Sequence, residues 1–467
     1  MNVMFWDLTL LAVFVVAFSV FLFVKRKKIK KEGLLFLYHT KWGVKFIDRF
    51  GKKHKKTLKV LSYISVFVGY ILMIIMIYLF VEILIVYIFQ SNVVRALKIP
   101  PITPLIPYLP QIFNLNFLPP FYFSYWIIIL AIVAITHEFF HGIFARIANV
   151  KTKTTGFGFF PFFFPVFPAA FVSIDEKSME KKKNFEQMAI LSAGTFANII
   201  TAILGIILMA LFFSVSFSPS GVVYNDYAYG FVNVSSINSV NGVQVQNISY
   251  AVLSNLTKPG TQNKIVAGNE TFYGIKGISS TGELVLYYDS PAIENNLTGA
   301  ITKIGDVKIT NLNELSSVIN SYSPGESVNV STYDGTKESV KEITLGASPD
   351  KKAWIGITFV NSQASGVGGV ISNLISSYKD PHVYYTQNFN GAEFIYNFFW
   401  WLVLISFSVA IVNMLPVGIF DGGRFFYLTI LSITKSKKAA EVGYKISTYF
   451  FLILLFALMI LWAKSFF

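Results

Sequence analysis

The chain has 467 residues, 54% of them hydrophobic and only 14% charged, with a formal net charge of +14 and no cysteine. Globular domains carry about 25% charged residues, so this composition excludes a soluble enzyme and a disordered chain. The lack of cysteine excludes a thiol nucleophile, an iron–sulfur cluster, a thiolate zinc site and a disulfide-stapled module.

A membrane-spanning helix needs about 20 mostly apolar residues. Six stretches qualify, at about 5–24, 60–89, 122–149, 185–217, 394–417 and 445–463. The first has no basic stretch before it, and the cluster Lys25, Arg26, Lys27, Lys28, Lys30, Lys31 follows it. It therefore reads as an anchor with its N-terminus outside rather than a signal peptide. Lys52, Lys53, Lys55 and Lys56 extend the basic stretch, which sets topology first and meets anionic lipids second. The sparsely charged loop 91–120 holds seven of the seventeen prolines and should lie outside. Lys151, Lys153 and the run Lys181, Lys182, Lys183 return to the cytoplasm, as do Lys435, Lys437 and Lys438. Alternation then places residues 218–393 outside.

That outer segment is rich in Ser, Asn, Gly, Val and Thr, with short β-like runs between turn residues. It carries six Asn-x-Ser/Thr sequons, at Asn233, Asn247, Asn255, Asn269, Asn296 and Asn329. These suit an extracytoplasmic face or arise by chance in a segment of this composition. Sequons without cysteine point to an archaeal source. The stretch from Ser290 through Gly305-Asp306 to Val328, Val330 and Thr332 resembles a PDZ domain of the kind carried by membrane proteases. An earlier stretch around Asn241-Gly242 is similar to a partial or divergent copy. Such modules bind extended peptides by strand addition; the plainer alternative is a generic β-rich outer domain.

The third span contains Thr136-His137-Glu138-Phe139-Phe140-His141-Gly142. Histidines four apart lie on one helical face and can reach one ion, with Glu138 placed to contact a metal-bound water. Ionisable groups inside an apolar span are costly and functional by default; the alternative is a hydrogen-bonded polar trio without metal. Gly142 permits close helix packing. Zinc needs a third ligand. The candidate is Asp421, in Asn413-Met414-Leu415-Pro416-Val417-Gly418-Ile419-Phe420-Asp421-Gly422-Gly423. The helix from 394 should break near Pro416 and deliver Asp421 at the same depth as the histidines, with Gly422 and Gly423 allowing close approach.

HEFFH with a distant Asn-x-x-Pro-x-x-x-x-Asp-Gly-Gly resembles the site-2 protease family, peptidase family M50-like zinc metalloproteases that cut within the membrane. Gly194-Thr195-Phe196-Ala197-Asn198 is similar to the family's Gly-x-x-x-Asn segment. Gly156-Phe157-Gly158, opening an apolar stretch to Phe171, resembles its membrane-dipping hairpin. The outer insertion resembles that of the PDZ-containing branch.

The resemblance implies one Zn²⁺ per chain on His137, His141 and Asp421, with Glu138 as general base and acid. It implies Asn413 at the oxyanion and Asn198 on the substrate backbone; interhelical hydrogen bonding is the alternative for both. A substrate helix must unwind to be cut, and an edge strand in the 156–171 hairpin, with Gly156, Phe157 and Gly158 as the pairing residues, could satisfy its backbone; a membrane-resting loop is the alternative.

The expected architecture is a multi-span α-helical membrane protein with about six transmembrane helices and a β-rich extracytoplasmic PDZ-like insertion. It divides into two N-terminal helices over 1–120, a first catalytic part over 121–217 and the two PDZ-like modules over 218–283 and 284–360. A linker over 361–393, a second catalytic part over 394–435 and a final helix over 436–467 follow. The expected function is zinc-dependent endoproteolysis within or near transmembrane helices, in the cell membrane, with the active site near the cytoplasmic side. The expected partners are transmembrane protein substrates, peptide or protein ligands of the PDZ-like region and the lipid bilayer, with no nucleic acid. Two alternatives remain. One is a Ste24-like membrane metalloprotease with a Glu ligand, for which Glu393 is the visible candidate. The other is a non-catalytic scaffold.

Overall fold

A computed structural model describes residues 3–464, apart from 33–34, 91, 93, 96–99, 102–104, 116, 160–167, 247, 259–261, 349, 361–368 and 370–372. The sequon at Asn247 and the hairpin tip at 160–167 lie outside the described residues. The chain divides into two compact units, Met1–Met209 with Phe394–Phe467, and Ala210–Glu393.

Among the described residues, six helices are long and apolar enough to cross a membrane. They are α1 (Val3–Lys25), α3 (Lys55–Phe89), α4 (Phe123–Ile147), α5 (Asn184–Ser216), α6 (Ala392–Asn413) and α8 (Lys437–Lys464). The last starts earlier than its apolar run because Lys437, Lys438, Glu441 and Lys445 continue the helix in polar residues. Among the helices too short to span, α2 (Val44–Lys53) and α7 (Asp421–Thr434) were not expected.

In a membrane protein, burial marks helix–helix contact, because lipid is as apolar as leucine. Leu72 and Met76 of α3, Phe144 of α4, Ile190 of α5 and Phe425 of α7 share one core. Phe123, Trp126 and Ile129 of α4 share another with Trp401 and Ile405 of α6. Polar pairs stitch the helices: Ser65 and Ser192 hydroxyls lie 2.8 Å apart, and those of Tyr70 and Thr429 3.1 Å apart. Gly142 allows the close packing expected of it. A Cβ there would come within 2.9 Å of Ile47 on α2. The same helix pair carries an Arg146–Asp48 ion pair at 3.3 Å.

α1 is more than an anchor. Its Asp7 is buried and accepts hydrogen bonds from the Phe123 amide at 2.7 Å, the Ser124 amide at 2.9 Å and the Tyr108 hydroxyl at 2.6 Å. The amides belong to the first turn of α4, where a helix leaves its N–H groups unpaired. A carboxylate from one span thus caps another.

The hairpin after α4 consists of β3 (Thr152–Phe159) and β4 (Pro168–Ile174). The basic stretch before α2 forms two strands, β1 (Ile29–Glu32) and β2 (Leu35–Thr40). Together they make a four-stranded sheet in the order β1-β2-β3-β4. This corrects the expected strand-pairing residues. Gly156, Phe157 and Gly158 pair with His39, Tyr38 and Leu37 on one side and with Phe171, Ala170 and Ala169 on the other. Their backbone is already used on both edges. Among the described residues, the open edges are β1 and β4.

In the second unit, β6 (Tyr229–Val232), β7 (Ile237–Val240), β8 (Val243–Gln244), β9 (Lys264–Ala267), β10 (Glu270–Ile278) and β11 (Leu284–Tyr288) form a six-stranded sheet. Its order is β6-β11-β10-β9-β7-β8. The stretch expected to be a partial module therefore has a full sheet and its own core of Ile237, Ile265, Phe272 and Leu286. A second sheet uses β5 (Phe217–Val222), β12 (Ala300–Ile304), β13 (Ser327–Tyr333), β14 (Glu338–Thr344) and β15 (Val383–Gln387), in the order β14-β13-β12-β5-β15. Sheet membership departs from the sequence boundaries at 283 and 360: β11 belongs to the first sheet, while β5 and β15 close the second. The five described sequon asparagines are exposed.

Candidate metal centre

The helical period of α4 sets His137 and His141 one turn apart, and their Nε2 atoms lie 3.0 Å from each other. Asp421 Oδ2 lies 3.4 Å from the first and 3.3 Å from the second. Zinc bonds of about 2.0–2.2 Å in tetrahedral directions separate ligand atoms by about 3.3–3.5 Å. The two nitrogen–oxygen spacings fall in that range and the 3.0 Å nitrogen–nitrogen spacing is slightly tighter, so the three atoms approximate one face of such a tetrahedron. The donor set fits zinc.

Asp421 reaches the histidines as the first residue of α7. α6 ends at Asn413, and the loop through Pro416 turns the chain back toward the site. A side chain on Gly422 would strike the backbone of Met414, and one on Gly423 the backbone of Val417. The glycine pair therefore lets α7 start tightly against this loop. Glu393 begins the same α6, about 30 Å along the helix from Asn413 at 1.5 Å per residue. Among the described residues, the ligand atoms that converge are those of His137, His141 and Asp421.

The outer ring nitrogens fix the imidazoles. His141 Nδ1 lies 2.6 Å from the Ile190 carbonyl, which can only accept, so Nδ1 carries the proton and Nε2 offers a lone pair inward. His137 Nδ1 lies 3.0 Å from the fully buried Asn198 amide, whose Oδ1 has no partner. Turning this amide by half a revolution puts the oxygen on Nδ1–H. The orphan acceptor is then satisfied, and Nε2 of His137 is free for a metal. Asn198 thus backs a ligand; its observed contact is not with the space a substrate would use.

Gly194, one turn before Asn198 on α5, explains the Gly-x-x-x-Asn spacing. A Cβ at Gly194 would collide with Nε2 of both His137 and His141. One position leaves room for the ion and the other, on the same helical face, holds a ligand from behind.

Glu138 is half-buried, and its Oε2 accepts a hydrogen bond from the Val172 amide of β4 at 2.8 Å. That amide points away from β3, along the open edge of the sheet. Asn413 is half-buried at the end of α6 and lines a cavity of about 450 Å³ with Trp401, Ser408 and Val409. Sequence reasoning singled out the three residues whose potential ligand atoms converge, and Glu138 next to His137. It missed the Ile190 carbonyl, which no side-chain pattern encodes, and it put the free edge of the hairpin on the first strand rather than on β4.

Residues 125–458 match the family model described as peptidase family M50. No curated protein matches the chain. The match spans all four site residues and leaves α1 and α3 outside it.

Proposed function

The chain belongs to peptidase family M50, whose members are membrane zinc metalloproteases, and from that premise we propose that it is an intramembrane endopeptidase cutting within or near transmembrane helices of its substrates. The observation that carries this reading is the convergence of His137, His141 and Asp421, with the histidines and Glu138 on a helix long and apolar enough to span a membrane.

A zinc ion bound there would supply a Lewis acid and lower the pKa of a bound water to about 7. His137, His141 and Asp421 would hold it. Glu138 takes the proton from the attacking water and returns it to the leaving amine. Its hydrogen bond to Val172 aims the carboxylate at the strand edge. Asn413, at the end of the helix that leads to Asp421, is assigned to the developing oxyanion.

A helical substrate is closed to attack because its carbonyls are already bonded. Once unwound, its backbone needs partners in an apolar setting. The open edge of β4 offers them, on the side where Glu138 sits, and β2 covers the opposite edge of β3. The strand-pairing role first given to Gly156, Phe157 and Gly158 therefore passes to Ala170 and Val172. The positive-inside pattern supports a cytoplasmic-side site and an extracytoplasmic second unit. The two sheets of that unit are read as PDZ-like modules that bind peptide or protein ligands at their edges.

The test is cleavage of a single-span peptide in detergent by zinc-loaded wild type beside Glu138→Gln. Site-specific cutting by the first and none by the second is expected. Equal turnover by both would favour a scaffold with a contaminating protease.

A further inference from the structure

α1 lies outside the family match, yet it is fastened to the helix that bears the site. Asp7 is 5% exposed in an otherwise apolar helix. A buried carboxyl among lipid-facing helices persists only when its acceptors are satisfied. Here two backbone amides of α4 and the Tyr108 hydroxyl satisfy them. This pins α1 in a fixed register on α4.

Farther along α1, Phe14, Phe18 and Phe21 recur at helical spacing and wall a cavity of about 320 Å³. Ala134 of α4, Phe157 of β3 and Ala170 of β4 form the other side. Phe157 and Ala170 are cross-strand partners, so their side chains share a face of the sheet. Ala134 stands one helical turn before Glu138. Ala170 stands two residues before Val172, whose amide holds Glu138. Along both elements, the cavity therefore sits next to the proton-handling carboxylate. All ten lining side chains are apolar, and the alanines among them leave the room that the phenylalanines enclose.

We propose that this cavity is a specificity pocket for a large apolar side chain of the substrate, close to the scissile bond. Phe14, Phe18 and Phe21 form its wall, and Asp7 is the positioning residue that sets the wall. The inference rests on the reading that an unwound substrate pairs along β4. Side chains of a paired strand alternate between faces with period two. A substrate residue opposite Ala170 then projects to the same face as Ala170, into the cavity. The N-terminal helix thus supplies selectivity to a site built by the rest of the chain.

The experiment uses the zinc-loaded full chain in detergent and single-span peptides differing only in Ala, Leu or Phe at one position within three residues of the cut. Wild type should favour Leu or Phe over Ala about tenfold or more in kcat/KM at one position. Ala170→Leu fills the cavity and should bring that ratio close to one. Phe18→Ala should move the preference toward bulkier residues. Asp7→Asn should lower the ratio several-fold at full zinc content, whereas a merely structural defect would slow all three peptides alike.

A second arm places photo-leucine at the same position and crosslinks it to the Glu138→Gln protein. Crosslinks to Phe14, Phe18, Phe21 or Ala170 are expected. A ratio unchanged in all three variants, or no crosslink to these residues, overturns the pocket. Pocket crosslinks without cleavage by wild type would sink the protease reading instead and leave the pocket standing.

Discussion

Glu138 Oε2 lies 2.8 Å from the Val172 amide, so the carboxylate proposed to handle the proton is registered to a strand edge. Glu138→Gln keeps the size of the side chain and an oxygen to accept from Val172, but removes its basicity. Peptide cleavage should fall by about 10²–10⁴-fold. Zinc content should stay near one per chain, because Glu138 is not a ligand. Parallel loss of zinc would place Glu138 among the ligands.

The same hydrogen bond can be removed from its other end. The Val172 amide faces away from β3, so a proline there costs no pairing within the sheet. Val172→Pro should fold and bind zinc, with kcat reduced about tenfold or more, the loss expected when one hydrogen bond to a charged group disappears. Wild-type kcat in this variant would detach the strand from catalysis.

Gly194→Ala should strip the centre of metal, because the added methyl occupies the space between the two Nε2 atoms. A glycine in open surroundings, such as Gly277, provides the control substitution. Folded Gly194→Ala protein retaining full zinc would mean that the imidazoles bind elsewhere.

Asn198→Ala should weaken zinc about 10–100-fold in a chelator titration, the range typical for loss of a group that orients a ligating histidine. Asn198→Asp keeps an acceptor for His137 Nδ1–H and should recover part of the loss. If Asn198→Ala instead raises only KM, the residue belongs to substrate binding.

The spans were legible because about 20 apolar residues in a row have few other meanings. The candidate ligands were legible because two histidines at helical spacing and a lone acid in an Asp-Gly-Gly turn carry distinctive chemistry. What escaped was long-range pairing. Asp7 is one acid in an apolar run, and its partners lie more than 100 residues away in sequence. β1 and β2 are short and flanked by lysines, so they read as a topology signal rather than as cover for β3. β5 and β15 bracket the second unit in sequence and pair side by side, Val222 opposite Val383. No local pattern announces such a pairing.

Zinc stoichiometry of purified wild type, His137→Ala, His141→Ala and Asp421→Ala, measured by mass spectrometry of the metal, tests the centre itself. One zinc per wild-type chain and near-zero occupancy in each variant is the predicted result. Full zinc in Asp421→Ala would contradict it, because the remote carboxylate would then have no part in holding the ion.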